Sequence, residues 1–309
     1  MKPHSLFTKS KTVAVVFFLL SLALVFATPD GCAAVSTAST SRVDLQDVNV
    51  AIYIGIGSLG SSAIALEHLF AWMNATVDLI DGESIRNGTL STCDILVFPG
   101  GSIVSYRDSL EPEGLDIVRE FVSDGGSYFG ICGGSMFATN AVLGLFDGTY
   151  SNSINGTDIF LTQMNVNHIS LGPDLSSEPR SCQTMYWGSS YFYGNGMSTA
   201  IPIANYTLNN KPGMIAFTYG EGTAFLSSPH PEYEEGDSRD GTDFCDYLDD
   251  PDSEWSLLLK VSCWLVDASI TENTESGNQL PDYFMLLTFG GAGLIGVIII
   301  IFLAKSRLH

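Results

Sequence analysis

The first half of the chain alternates short apolar runs with segments of helical spacing. Val48 to Ile56 is a nearly continuous apolar run, the pattern of a strand buried on both faces. Ser62 to Met73 repeats its apolar residues at helical intervals. Ala75 to Ile80 predicts a second strand, and Asp94 to Phe98 a third that ends in Pro99-Gly100-Gly101. Pro112 to Ser123 predicts a helix with proline in its first turn, where a missing N–H costs nothing. Gly126 to Ile131 is a fourth strand and Gly133 to Leu143 a helix leaving it. Such alternation implies an α/β domain with a mostly parallel sheet covered on both faces. The second half is richer in strands: Asn165 to Leu171, Gln183 to Tyr193, Ala200 to Leu208, Gly213 to Tyr219 and Gly222 to Ser228. Ser253 to Val266 closes the domain with a helix.

The two ends follow a different pattern. Lys2, Lys9 and Lys11 precede an apolar stretch from Thr12 to Ala27, so residues 1–27 read as a secretory signal, with cleavage after Ala27 or after Ala34. Residues 35–45 read as a tether, 46–268 as the domain and 269–282 as a polar stalk. Tyr283 to Ala304 carries no charge over about 22 residues, enough for a membrane span. Lys305 and Arg307 follow it at once. The positive-inside rule then puts residues 305–309 in the cytoplasm and the domain outside, as a single-pass type I membrane protein. Sequons at Asn74, Asn87, Asn155 and Asn205 agree with export and predict a glycoprotein. A net charge of −21 excludes a basic nucleic-acid-binding surface. The oligomeric state is not legible.

Of the six cysteines, Cys32 is lost if cleavage follows Ala34. The remaining five then leave one thiol free. Cys132 is the candidate, and Cys93, Cys182, Cys245 and Cys263 would form two disulfides in one of three pairings. No pair has the spacing of a metal or redox motif.

Three short segments carry chemistry. Gly130-Ile131-Cys132-Gly133-Gly134 joins an apolar strand to a helix, the form of a nucleophile elbow. Glycines flank the cysteine because neighbouring Cβ atoms would clash on so tight a turn, and the helix start favours the thiolate. Pro99-Gly100-Gly101 ends the preceding strand, and its backbone N–H groups, with that of Gly133, can hold an oxyanion. Ser228-Pro229-His230-Pro231-Glu232 follows another strand. It offers an imidazole as base for Cys132 and a carboxylate to orient it. The aromatic stretch Tyr186 to Tyr193 reads as sheet packing or a pocket wall. The acidic stretch from Glu234 to Asp252 reads as a solvated loop or a set of Ca²⁺ ligands without the spacing of a known calcium loop.

The order of these segments resembles the class I glutamine amidotransferase-like superfamily. Within it, Phe98-Pro-Gly-Gly-Ser102, Tyr128-Phe-Gly-Ile-Cys-Gly-Gly-Ser-Met-Phe-Ala138 and Tyr186-Trp-Gly-Ser-Ser-Tyr-Phe192 are most similar to the domain at the N-terminus of some biotin–protein ligases. The resemblance implies a flavodoxin-like, doubly wound sheet and a Cys132–His230–Glu232 triad. Position 136 is Met where amidotransferases that use glutamine usually carry Gln, and a thioether cannot supply an amide's hydrogen bonds. Neither a synthetase nor a biotin-ligase catalytic domain is present in the sequence, which argues against glutamine-dependent transfer and biotinylation. Two functions from different classes lead, with a structural or adhesion ectodomain as a third. One is a membrane-anchored thiol hydrolase acting on an amide or peptide-like bond of a small molecule or peptide, with no cofactor and no metal. The other is a non-catalytic ligand-binding module on the same scaffold.

Overall fold

The computed structural model describes residues 42–151, 156–234, 236, 238–250 and 252–278. The apolar runs of the first half become β1 (Asn49–Tyr53), β2 (Thr76–Ile80), β3 (Ile95–Phe98) and β4 (Ser127–Ile131). They are connected by α1 (Gly60–Trp72), α2 (Gly82–Arg86) and α3 (Ile103–Ser123), and β4 runs into α4 (Gly133–Phe137). β1, β3 and β4 are buried almost throughout, as continuous apolar runs require.

The second half supplies β5 (Thr149–Ser151), β6 (Ile159–Val166), β7 (Ser181–Trp187), β8 (Tyr191–Tyr193), β9 (Ile201–Tyr206), β10 (Pro212–Tyr219), β11 (Gly222–Ser227) and α5 (Trp255–Asn278). Nine strands make one sheet in the order β2-β1-β3-β4-β11-β10-β9-β6-β7, and β5 pairs with β8 apart from it. The first five positions are parallel, in the order 2-1-3-4-5 of flavodoxin-like folds. The strand-rich second half adds β10, β9, β6 and β7 antiparallel. The mostly parallel sheet that the pattern predicts is present in those five strands, and the antiparallel strands extend it at one side.

Other departures have local causes. Helix α3 has two arms. Glu111 is non-helical (φ 58°, ψ 170°) because the proline that follows excludes it from the helical region, and Pro112 opens the second arm. The first arm, which the proline signal hides, is capped by the Ser102 hydroxyl accepting from Ser105 N–H. Helix α4 stops at Phe137, well short of Leu143. The Thr139 hydroxyl bonds back to the Met136 carbonyl at 2.7 Å, taking up one of the helix's last free carbonyls. The expected strand from Gln183 to Tyr193 is broken at Gly188 (φ 54°), and β6 lies N-terminal to the expected Asn165–Leu171. Helix α5 runs on to Asn278, past Val266 and into residues read as stalk.

Two cores cover the sheet. Leu66, Phe70, Trp255 and Leu258 of α1 and α5 pack on Ile52, Phe129 and Phe225. On the other face, Tyr106 and Phe137 of α3 and α4 pack on Tyr53, Phe98 and Tyr128. Phe98 is the hub of that second group, with four aromatic rings at centroid distances of 4.8, 5.3, 5.7 and 5.1 Å.

The expected disulfides are not formed at Cys93, Cys182 and Cys263, which carry free thiols. Cys93 packs on one face of the sheet while Cys182 and Cys263 belong to the other. Cys182 sits beside Glu254, just before α5, and Cys263 lies within that helix; both belong to one core and neither is bridged.

Among the described residues no helix is long and apolar enough to cross a membrane. The signal at 1–27, most of the tether, Asn155, the span at 283–304 and the tail lie outside the described residues.

Replacing the hub ring should be costly because its cavity cannot collapse onto four other rings. Phe98→Ala is expected to lower the unfolding free energy by about 3–5 kcal/mol, measured by urea titration. A loss below about 1 kcal/mol would contradict this packing.

Candidate active site

The site is assembled by strand register. Phe98 pairs with Gly130, and Ile131 with Ser227, so β3, β4 and β11 end level with one another. The three segments singled out above leave from those ends, at the edge where ligands bind in open α/β sheets. The Cys132 N–H donates to the Ser227 carbonyl at 2.7 Å, which fixes the turn directly to the neighbouring strand.

Cys132 has φ 47° and ψ −112°, a backbone position that costs a non-glycine residue about 1–3 kcal/mol. Its thiol is free and the residue is partly exposed. The glycines around it are demanded by contact. A Cβ on Gly133 would stand 2.0 Å from the Gly101 carbonyl oxygen, and one on Gly134 would stand 2.1 Å from that of Phe98. The five-residue α4 is too short for a strong helix dipole at the sulfur, contrary to the longer helix the pattern predicts.

His230 is fully buried. Its Nδ1 lies 2.8 Å from Glu232 Oε1, while Nε2 has no hydrogen-bond partner among the described residues. Burial opposes charge on the ring. The Glu232 carboxylate and the Cys132 sulfur outweigh it and hold the imidazole well above its ordinary pKa. Gly100 separates the two reactive side chains: a Cβ there would lie 2.8 Å from His230 Cε1 and 3.6 Å from Cys132 Cβ. Cys132, His230 and Glu232 are thus brought together.

The three expected oxyanion donors divide. Gly100 N–H is not available, because it donates to Ser62 Oγ at 2.9 Å. Gly100 serves instead as the space in which sulfur and imidazole meet. The N–H groups of Gly101 and Gly133 donate no hydrogen bond within the described residues, and Gly101 is exposed. Three tyrosine hydroxyls hold the surrounding carbonyls. Tyr53 reaches Ile56 O at 3.2 Å, Tyr106 reaches Pro99 O and Gly100 O at 3.0 Å each, and Tyr128 reaches Gly134 O at 2.7 Å.

Sequence reading missed Ser62 and these tyrosines. A serine in the first turn of a helix looks like an ordinary helix-start residue, and buried tyrosines look like core. The aromatic stretch divides as well. Tyr186 is core, stacked on Phe160 at 4.6 Å, whereas Trp187 stands 6.0 Å from the His230 ring. In the acidic stretch, Asp250 and Asp252, together with Glu254 just beyond it, bring carboxylate oxygens within 4.8 Å of one another. Burial, then a hydrogen bond to Asp252, pushes Asp250 up to about 7, so this group can hold a proton near neutrality without a cation. Glu234 pairs instead with Arg239.

Comparison with known proteins agrees with this layout. Residues 48–147 match the family model described as biotin-protein ligase, N terminal. No curated protein sequence matches the chain. Among solved structures, PurLQS from Thermotoga maritima is similar with a TM-score of 0.50 at 14% identity, over 71% of this chain and 99% of that one. A glutamine amidotransferase from the same organism is similar at 0.46 and 16% identity, over 74% of this chain and 94% of its own. At such identity the first likeness speaks to fold. Residues 48–147 are therefore similar to the N-terminal domain of biotin-protein ligases, and the fold is similar to that of PurLQS.

Proposed function

We propose that this amidotransferase-like domain is a thiol hydrolase for an amide or peptide-like bond. The observation that carries the reading is the buried imidazole of His230, held at Nδ1 by Glu232 with Nε2 left unbonded beside Cys132. In the proposed reaction Cys132 Sγ gives its proton to His230 Nε2 and attacks the carbonyl carbon. The N–H groups of Gly101 and Gly133 hold the resulting oxyanion. The C–N bond breaks as His230 returns the proton to the departing amine, leaving a thioester. Water then attacks the thioester carbon as His230 takes its proton, the C–S bond breaks, the carboxylic acid leaves, and the Cys132 sulfur recovers its proton from His230. Glu232 keeps Nδ1 protonated throughout. Met136 lies one turn after the nucleophile, its N–H on the Cys132 carbonyl, which supports a substrate other than glutamine.

The proposal sets the domain outside the cytoplasm on a single C-terminal span. It is motivated by the uncharged run Tyr283 to Ala304 before Lys305 and Arg307, and by the export signal. Asn87 is exposed in the turn after α2, so a glycan there meets no core. Protein expressed in a glycosylating eukaryotic host is expected to gain electrophoretic mobility on N-glycosidase treatment. No change in mobility would count against the exported location.

At pH 7 the Cys132 thiol is expected to react with iodoacetamide more than about tenfold faster than free cysteine. His230→Ala should remove that advantage. Peptide mapping by mass spectrometry separates Cys132 from the other thiols, and a rate equal to free cysteine in the unmutated protein rules the reading out. Stability should follow the same ionisation. The folded state raises the His230 pKa, so this group's contribution is complete below its unfolded value of about 6.5 and is lost as pH rises through the folded value. The unfolding midpoint in urea should decline over that upper range, and His230→Gln should flatten that part of the decline.

A further inference from the structure

Ser62, in the first turn of α1, is fully buried. Its hydroxyl donates to Glu232 Oε1 at 2.7 Å and accepts from Gly100 N–H at 2.9 Å. A hydroxyl has one proton to give. That of Ser62 is committed to the carboxylate, on the same oxygen that holds His230 Nδ1. The next peptide of the loop is fixed from its other side. The Gly100 carbonyl accepts from Leu59 N–H at 2.8 Å and Tyr106 O–H at 3.0 Å. In a trans peptide the Gly101 N–H points away from that carbonyl and its two donors.

We propose that Ser62 is a positioning residue that locks the base to the oxyanion loop, so that imidazole and Gly101 N–H keep one fixed relation to Cys132. The role rests on the hydrolase reading of the same site. Without the Ser62 hydroxyl, Glu232 loses one of the two donors on Oε1 and Gly100 N–H loses its acceptor, both in a buried setting. The carboxylate is then free to turn from Nδ1, and the charge on His230 that favours the reactive sulfur weakens.

The titratable groups facing Cys132 and His230 are Glu232 beside the imidazole, Tyr106 from α3, Tyr206 from β9 and Tyr233 from the loop after β11. Burial raises all three phenols above their ordinary range, so they stay neutral where the triad titrates.

The test is the pH–rate profile of iodoacetamide alkylation at Cys132 in the full-length chain, read by peptide mapping, with thermal melts alongside. Ser62→Ala is expected to move the profile up by about one pH unit, the size set by losing a hydrogen bond to a charged group. Ser62→Thr, which keeps the hydroxyl, should bring it back to within a few tenths. An unmoved profile in Ser62→Ala overturns the role. So does an equal shift in both variants, which would mark a packing effect alone. An unmutated protein whose Cys132 behaves like free cysteine would overturn the hydrolase reading itself, and this role with it.

Discussion

One buried contact organises the site: the imidazole of His230 on the carboxylate of Glu232, with neither side chain open to solvent. A buried ionic pair depends on good geometry and added hydrogen bonds. Glu232 Oε1 has both, while Oε2 and His230 Nε2 have no hydrogen-bond partner among the described residues. Here the segment that carries it is fastened on several sides. Ser62 bonds Glu232 Oε1, Trp255 Nε1 donates to the Glu232 carbonyl at 3.0 Å, and Tyr233 O–H meets Ser61 Oγ at 2.8 Å. The His230 N–H donates to the Met185 carbonyl at 2.9 Å. Two helices and a strand from distant parts of the chain thus fix the segment from His230 to Tyr233, and the imidazole with it.

The second aromatic core plays a matching part beneath the loops. Tyr53, Tyr106 and Tyr128 bury their rings around Phe98 and send their hydroxyls outward to carbonyls of the β1 loop, the Pro-Gly-Gly loop and α4. A tyrosine has an apolar body and a polar tip, so it can belong to the core and still hold a loop. The packing that stabilises the sheet is also what fixes the carbonyls of these loops.

Much of this was legible in the sequence, and the exceptions share a cause. The parallel strands were readable because burial on both faces demands unbroken apolar runs, and Cys132, His230 and Glu232 because glycine and proline punctuation marks strand ends. Pro112 announced the second arm of α3 and hid the first. β7 and β8 read as one strand because buried Ser189 and Ser190, which follow Gly188, continue the alternation while the backbone turns. The expected disulfides rested on counting, which knows nothing of the sheet lying between Cys93 and Cys182. Ser62 and the committed N–H of Gly100 belong to contacts between residues 38 positions apart, which no local pattern records.

The place of β11 has a temporal consequence. This strand, the last among the described residues, does not join an edge; it slots into the middle of the sheet, between β4 and β10. Cys132 and His230 are 98 positions apart along the chain, so the earlier half can be made and collapsed while its thiol still lacks a base. Long-range parallel pairing is among the slower steps a chain takes. Insertion of that central strand is what brings His230 beside Cys132, so the two side chains meet only after the later half of the chain has been made.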